Sequence, residues 1–126
     1  MTKFFKWHNP NLGLLLVRLG LAGVFIMSGW SKIQNIEGTA TFFATLGLGI
    51  IWVYVVAYVE FLGGIAVLAG VFTRLAGLLL AIDMAFAIYL VKYASGFNGY
   101  RFELVLLLMA LAVYLAGSGR YALKKD

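Results

Sequence analysis

Four apolar runs, at 12–31, 50–71, 75–93 and 102–116, constrain this chain more than any other feature. A hydrocarbon core about 30 Å thick takes close to twenty helical residues to cross, so the first two runs reach easily and the last two lie near the short limit. Lipid offers no partner for an open strand edge, so all four are read as helices. Composition agrees: 63% of the 126 residues are hydrophobic and 12% charged, where soluble domains run near half and a quarter. A water-facing sphere of this size has too little interior for so much apolar surface. The expectation is an all-α, four-transmembrane-helix bundle forming one domain over 1–126, in contact with the lipid bilayer.

Local punctuation supports the spans. The first begins after Pro10 and Asn11, and the fourth ends at Gly117-Ser118-Gly119, where glycine can close a helix. The opening MTKFFKWHNPNLGLLLVRLG has a basic head and an apolar body. That body runs long, carries Arg18 and lacks a small-residue exit, so it is read as a retained first span rather than a secretory signal. Between spans one and two, Ile36, Ala40, Phe43 and Leu46 recur at helical spacing among threonines. Two readings fit: a short amphipathic helix lying in the membrane interface, or an extension of span one packed on the bundle.

An even number of spans puts both termini on one side. That side collects Lys3, Lys6, Arg74, Arg120, Lys124 and Lys125, against Lys32, Lys92 and Arg101 on the other. Six basic residues against three predict cytoplasmic termini for a multi-pass inner-membrane protein. Trp30 and Trp52 at one edge, with Trp7 and Tyr121 at the other, fall where aromatic belts form.

Charge inside the spans is where function is sought. Arg18 comes roughly two turns in from the cytoplasmic edge, and Glu60 and Asp83 come near the midplane. An unpaired charge there costs at least ~2.5–3.5 kcal/mol, so these three are expected to face inward and share hydrogen bonds or protons as one buried polar cluster. Lys32 and Glu103 sit closer to the outer edge, where a long cation can snorkel toward headgroups. They form a second, shallower pair. Glu60 shares a face with Gly63 and Gly64, which would let a neighbouring helix approach closely. On span one Arg18, Ala22, Phe25, Gly29 and Lys32 line one stripe. If Arg18 neutralises one acid, the other has no evident buried cation and becomes a candidate hydrogen-bond or proton donor. The same charges would also serve to fix helix register and nothing more.

Other chemistry is thinly supplied. The chain has no cysteine and a single histidine, His8, outside the first span beside Trp7. Disulfides, thiolate ligation and a bis-histidine haem within one chain are therefore excluded. Glu60, Asp83 and Glu103 differ too much in depth for one metal shell, so no metal is expected. Met27, Met84 and Met109 read as packing residues. Tyr54, Tyr58, Tyr89, Tyr93 and Tyr100 form either an aromatic belt or the wall of a pocket for a flat lipophilic ring. No phosphate loop, nucleophile triad or nucleic-acid surface is present, and the +5 charge suits anionic headgroups.

The segments RLGLAGVFIMSGWSKI, FFATLGL, VEFLGGIAVLAGVFTRLAGLLLAIDMAFAIY and FELVLLLMALAVYLAGSGRYAL, in that order, resemble the DoxX family of small bacterial membrane proteins. The resemblance implies a four-helix membrane bundle and carries over Arg18, Lys32, Glu60, Gly63, Gly64, Thr73, Arg74 and Glu103 as motif positions. It also implies association with oxidoreductase complexes, since related DoxD-like proteins are subunits of thiosulfate:quinone oxidoreductase. Two departures are visible: Lys92 or its neighbours stand where many relatives have histidine, and Ala122, Leu123 and Lys124 where the tail often reads serine-leucine-aspartate.

Three functions remain open from the sequence. The first is a membrane subunit of an oxidoreductase complex, offering a quinone a polar handle at Glu60, Arg18 or Lys32, with no covalently bound cofactor and with membrane or soluble redox subunits as partners. The second is a small proton-coupled conduit. The third is an assembly module, whose small-residue pairs Ala66 with Gly70, Ala81 with Ala85 and Ala112 with Ala116 dock a neighbour or a second copy.

Overall fold

The computed structural model describes residues 9–92 and 96–124. Trp7, His8 and Tyr93, and the side chain of Lys92, lie outside the described residues. Five α-helices follow one another: α1 Pro10–Gln34, α2 Ile36–Thr45, α3 Ile50–Ala69, α4 Thr73–Ala87 and α5 Phe97–Ala116. A π-helical turn, Ile88–Lys92, continues α4 directly. Four helical segments, 10–34, 50–69, 73–91 and 97–116, are long and apolar enough to cross a membrane. The four spans of the sequence reading are thus present with boundaries shifted by a few residues: the first and fourth are longer, the second ends two residues earlier and the third begins two residues earlier.

Helix α1 starts where the sequence provides a cap. Asn9 Oδ1 accepts the Leu12 N–H at 3.0 Å, and Pro10 contributes a fixed φ at the first helical position, where a missing N–H costs nothing. One residue, Asn35, separates α1 from α2: its backbone N–H caps the end of α1 and its side chain accepts the Gly38 N–H at 3.2 Å. The segment between spans one and two is therefore a helix of its own. Ile36, Ala40, Phe43 and Leu46 turn inward, with Phe43 buried, while Thr41 and Thr45 are exposed.

Helices α1 and α3 run antiparallel along a seam made by missing side chains. A Cβ at Gly29 would sit 2.8 Å from the Ala57 carbonyl oxygen, and one at Gly64 would sit 2.9 Å from the Ile26 nitrogen. Contacts that short are not tolerated, so the absence of a side chain at both positions lets the two backbones touch. The expected glycine pair on α3 is divided between two neighbours. Gly64 meets α1, while Gly63 faces Leu80 of α4. Gly77 plays the seam-forming part between α4 and α5, with Ala110 O at 2.9 Å from its would-be Cβ. Leu21, Phe25, Val67, Leu80, Leu106 and Val113 then fill the centre from four helices. Large residues such as Leu16, Met27, Ile51 and Leu115 are 60–74% exposed on the outside, a surface that only lipid covers favourably.

The described ends of the chain meet at one end of the bundle. Arg120 N donates to Asn11 Oδ1 at 3.0 Å. The tail after α5 folds across that end, and Leu123 and Lys124 donate their N–H groups to the Ala69 and Gly70 carbonyls at 3.0 and 3.1 Å.

Candidate functional site

Arg18 and Lys32 lie on one stripe of α1, fourteen residues or about 21 Å apart along the axis, and their side chains go opposite ways from the expected pairing. Side chains on a helix lean toward its N-terminus. Arg18 therefore leans away from Glu60, toward the end where the termini meet. Its Nε donates to Val67 O at 2.9 Å and its Nη2 to Leu68 O at 3.1 Å, at the last turn of α3. Its Nη1 donates to the carbonyls of Ser118 at 2.9 Å and Tyr121 at 2.5 Å. Arg18 is 1% exposed, and the expected cluster of Arg18 with Glu60 and Asp83 does not form. The guanidinium instead satisfies carbonyls that a helix end leaves without partners and fastens the tail to α3.

The same lean carries Lys32 inward. Its Nζ donates to Glu60 Oε1 at 2.7 Å and to Ser28 Oγ at 2.7 Å, and Ser28 Oγ donates to the same Glu60 oxygen at 2.8 Å. Glu60 leans toward the N-terminus of α3, which is the direction from which Lys32 arrives. The expected Lys32–Glu103 pair is thus replaced by Lys32–Glu60, with Glu60 3% exposed and Lys32 24% exposed. Ser28 was missed by the sequence reading. Its signal was available: Ser28 and Lys32 are four residues apart and share a helical face.

Asp83, from α4, lies close enough to Glu60 and Lys32 for all three to interact. Glu103, from the first turns of α5, joins them around one cavity of about 710 Å³. Lys32, Glu60, Asp83 and Glu103 are its charged lining, and the rest is apolar: Phe43 and Leu46 from α2 and the following turn, Trp52 and Val56 from α3, Phe86 from α4. Two polar atoms are buried there without a hydrogen-bond partner, Asp83 Oδ2 and Glu103 Oε1. Orphaned oxygens of this kind are uncommon and are a point of attachment for something polar that fits the space. Among the described residues no three acids or histidines come together closely enough to hold a metal ion. None of Tyr54, Tyr58, Tyr89 or Tyr100 lines the cavity.

The remaining motif residues hold the frame. Thr73 is fully buried at the start of α4. Arg74 Nε donates to Tyr114 O at 3.0 Å with its guanidinium 5.7 Å from the Tyr114 ring centroid, tying α4 to α5.

Against known proteins, the DoxX family model matches residues 13–93. "Putative oxidoreductase CatD" of Bacillus subtilis (strain 168) is 39% identical over 124 residues, covering 98% of this chain and 89% of that protein. "Inner membrane protein YqjF" of Escherichia coli (strain K12) is 29% identical over 119 residues, covering 91% and 92%. No solved structure matches the chain significantly. The family match includes Arg18, Lys32, Glu60 and Asp83 and stops before Glu103.

Proposed function

This chain belongs to the DoxX family of membrane proteins, and we propose that it acts as the membrane subunit of an oxidoreductase complex, holding the ring of a quinone beside Lys32 and Glu60. The observation that carries this reading is the cavity of about 710 Å³, with apolar and aromatic walls and a few convergent polar groups, which is the usual make-up of a site for a lipophilic small molecule. A relative bearing the name of an oxidoreductase supports it.

The residues present fit such a group. Apolar walls from Phe43, Trp52 and Phe86 suit a flat ring, and Asp83 Oδ2 and Glu103 Oε1 have no hydrogen-bond partner within the chain. A quinone, when bound, supplies two-electron, two-proton redox chemistry. Lys32 is the cation of the site, and its ammonium, fixed by Glu60 and Ser28, keeps a third N–H for a ligand oxygen. Asp83 and Glu103 add carboxyl groups from α4 and α5 to the same wall. With no cysteine in the chain, electrons come from a partner protein. In this reading the protein sits in the inner membrane with both termini cytoplasmic, supported by Arg74, Arg120 and Lys124 at that end.

The test is ligand-dependent thermal stabilisation of the purified protein. A ligand at a hundred times its Kd adds ~2.7 kcal/mol to a native state that alone binds it. A quinone with no side chain is expected to raise the melting temperature of the wild type and to leave the Lys32→Met/Glu60→Leu variant unmoved. A wild type that shows no shift with any quinone would sink the proposal.

A further inference from the structure

Outside the polar cavity, a second concavity of about 460 Å³ runs along the lipid-facing side of α3 and α4. Its walls are wholly apolar or aromatic: Tyr58, Leu62, Gly63 and Ala66 from α3, Phe72 before α4, and Leu75 and Ala76 from α4. It is not separate from the first. Val55, Val59 and Leu79 line both, so one cleft between α3 and α4 passes from charged groups at its deep end to a hydrocarbon-lined groove.

The groove has a sequence cause. Gly63, Ala66 and Ala76 are small residues on facing helices, and a Cβ at Gly63 would come within 3.1 Å of Leu80. From Val59 to Ala66 it extends about 10 Å along α3. At its far end stands Phe72, the one residue other than glycine with a positive φ among the described residues, at 50°. An aromatic residue in that region is strained by ~1–2 kcal/mol. The strained backbone sets the Phe72 ring at the groove's end, with Lys124 Nζ of the tail 5.5 Å from its centroid.

We infer that this groove holds the isoprenoid chain of the quinone whose ring occupies the polar cavity, so that α3 and α4 together form a lateral gate through which the molecule enters from the bilayer with its tail still in apolar surroundings. The inference rests on the proposed function. Its own evidence is the shared lining, the gradient from four charged residues to none, and the sideways opening. A chain leaving lipid for such a groove gains little from the hydrophobic effect, because lipid is equally apolar. Position, rather than affinity, is therefore the measurable.

The experiment uses the full chain in proteoliposomes and a benzoquinone bearing a decyl chain tipped with a diazirine. Photolabelling mapped by mass spectrometry is expected on residues 58–76, about fivefold or more above that on outward residues of α5 such as Leu108 and Leu115, because a bound ring holds the tail beside the groove at a raised effective concentration. A tail-less quinone in excess should remove it, and so should Ala66→Phe, which fills the groove. Tail-less quinone must still raise the melting temperature of Ala66→Phe, which shows that variant folded with an intact cavity; Leu75→Trp, at an exposed residue of the groove wall, serves as a second filler. Even labelling of all outward faces, or groove labelling that survives excess tail-less quinone or both fillers, overturns the groove while leaving the ring site standing. A diazirine phospholipid that labels the groove equally, undisplaced by quinone, identifies an acyl-chain groove and also overturns it. Absence of any stabilisation by tail-less quinone removes both readings.

Discussion

The α1–α3 seam and the α3–α4 cleft share one helix and are built on opposite terms. Along the seam, Gly29 and Gly64 bring two backbones into contact, and Arg18 closes it with four hydrogen bonds to carbonyls of α3 and the tail. Along the cleft, Gly63 is met by the Leu80 side chain rather than by a backbone, and a groove and a cavity remain beside that contact. A glycine in a membrane helix therefore does not by itself mean close packing. It means space, which a partner backbone fills on one face of α3 and a leucine side chain of α4 fills on the other. Glu60 sits where the two regions meet, buried in the seam and lining the cavity.

The sharpest way to break this contrast is at the closed end of the seam. Arg18→Met strips the donor from four carbonyls, and since each hydrogen bond to a charged donor contributes ~1.5–3 kcal/mol, the loss should exceed ~5 kcal/mol. The expected result is little folded protein, with the tail after Gly117 open to trypsin. Folded yield and a tail-cleavage assay read it, and a variant as stable and protected as wild type would show that Arg18 is not the clasp.

Next comes the meeting point. Lys32→Met leaves the Glu60 carboxylate buried without its cation, at a cost of ~3–5 kcal/mol. Lys32→Met/Glu60→Leu removes both charges and is expected to recover most of that loss, because no uncompensated charge is then left buried. Thermal melts of the two variants in one detergent compare them, and a double variant no more stable than the single would make the pair structural.

Smaller effects separate seam from cleft most cleanly. Gly29→Val forces a side chain against the α3 backbone and should cost ~1–3 kcal/mol. Leu79→Ala, at a residue 40% exposed on the cleft, should cost less than ~1 kcal/mol and enlarge the cavity instead. Equal losses at Gly29 and Leu79, measured by melting temperature, would mean that the cleft is packed as tightly as the seam.

Much of this was legible in the sequence. The four spans, the shared helical face of Ile36, Ala40, Phe43 and Leu46, the stripe Arg18, Ala22, Phe25 and Gly29, and the inward face of Glu60 all follow from apolar run length and helical spacing, which act locally and are written in order along the chain. The break at Asn35 that makes α2 a separate helix does not. The charge pairing was not legible in the same way. Counting depth along each axis set Arg18 with the acids and Lys32 apart, yet depth of Cα is not depth of charge. A long side chain moves its head by several ångströms toward its own helix's N-terminus.

By itself, then, the sequence determined a multi-pass helical membrane protein and which side chains had to avoid lipid, because the cost of exposing a charge or a backbone N–H to hydrocarbon holds in any arrangement of the helices. Only the tertiary structure decided that Lys32 rather than Arg18 meets Glu60, that Gly63 and Gly64 serve different neighbours, and that Asp83 and Glu103 open onto the same cavity. Those outcomes depend on the direction and rotation of four helices relative to one another, which no local pattern specifies.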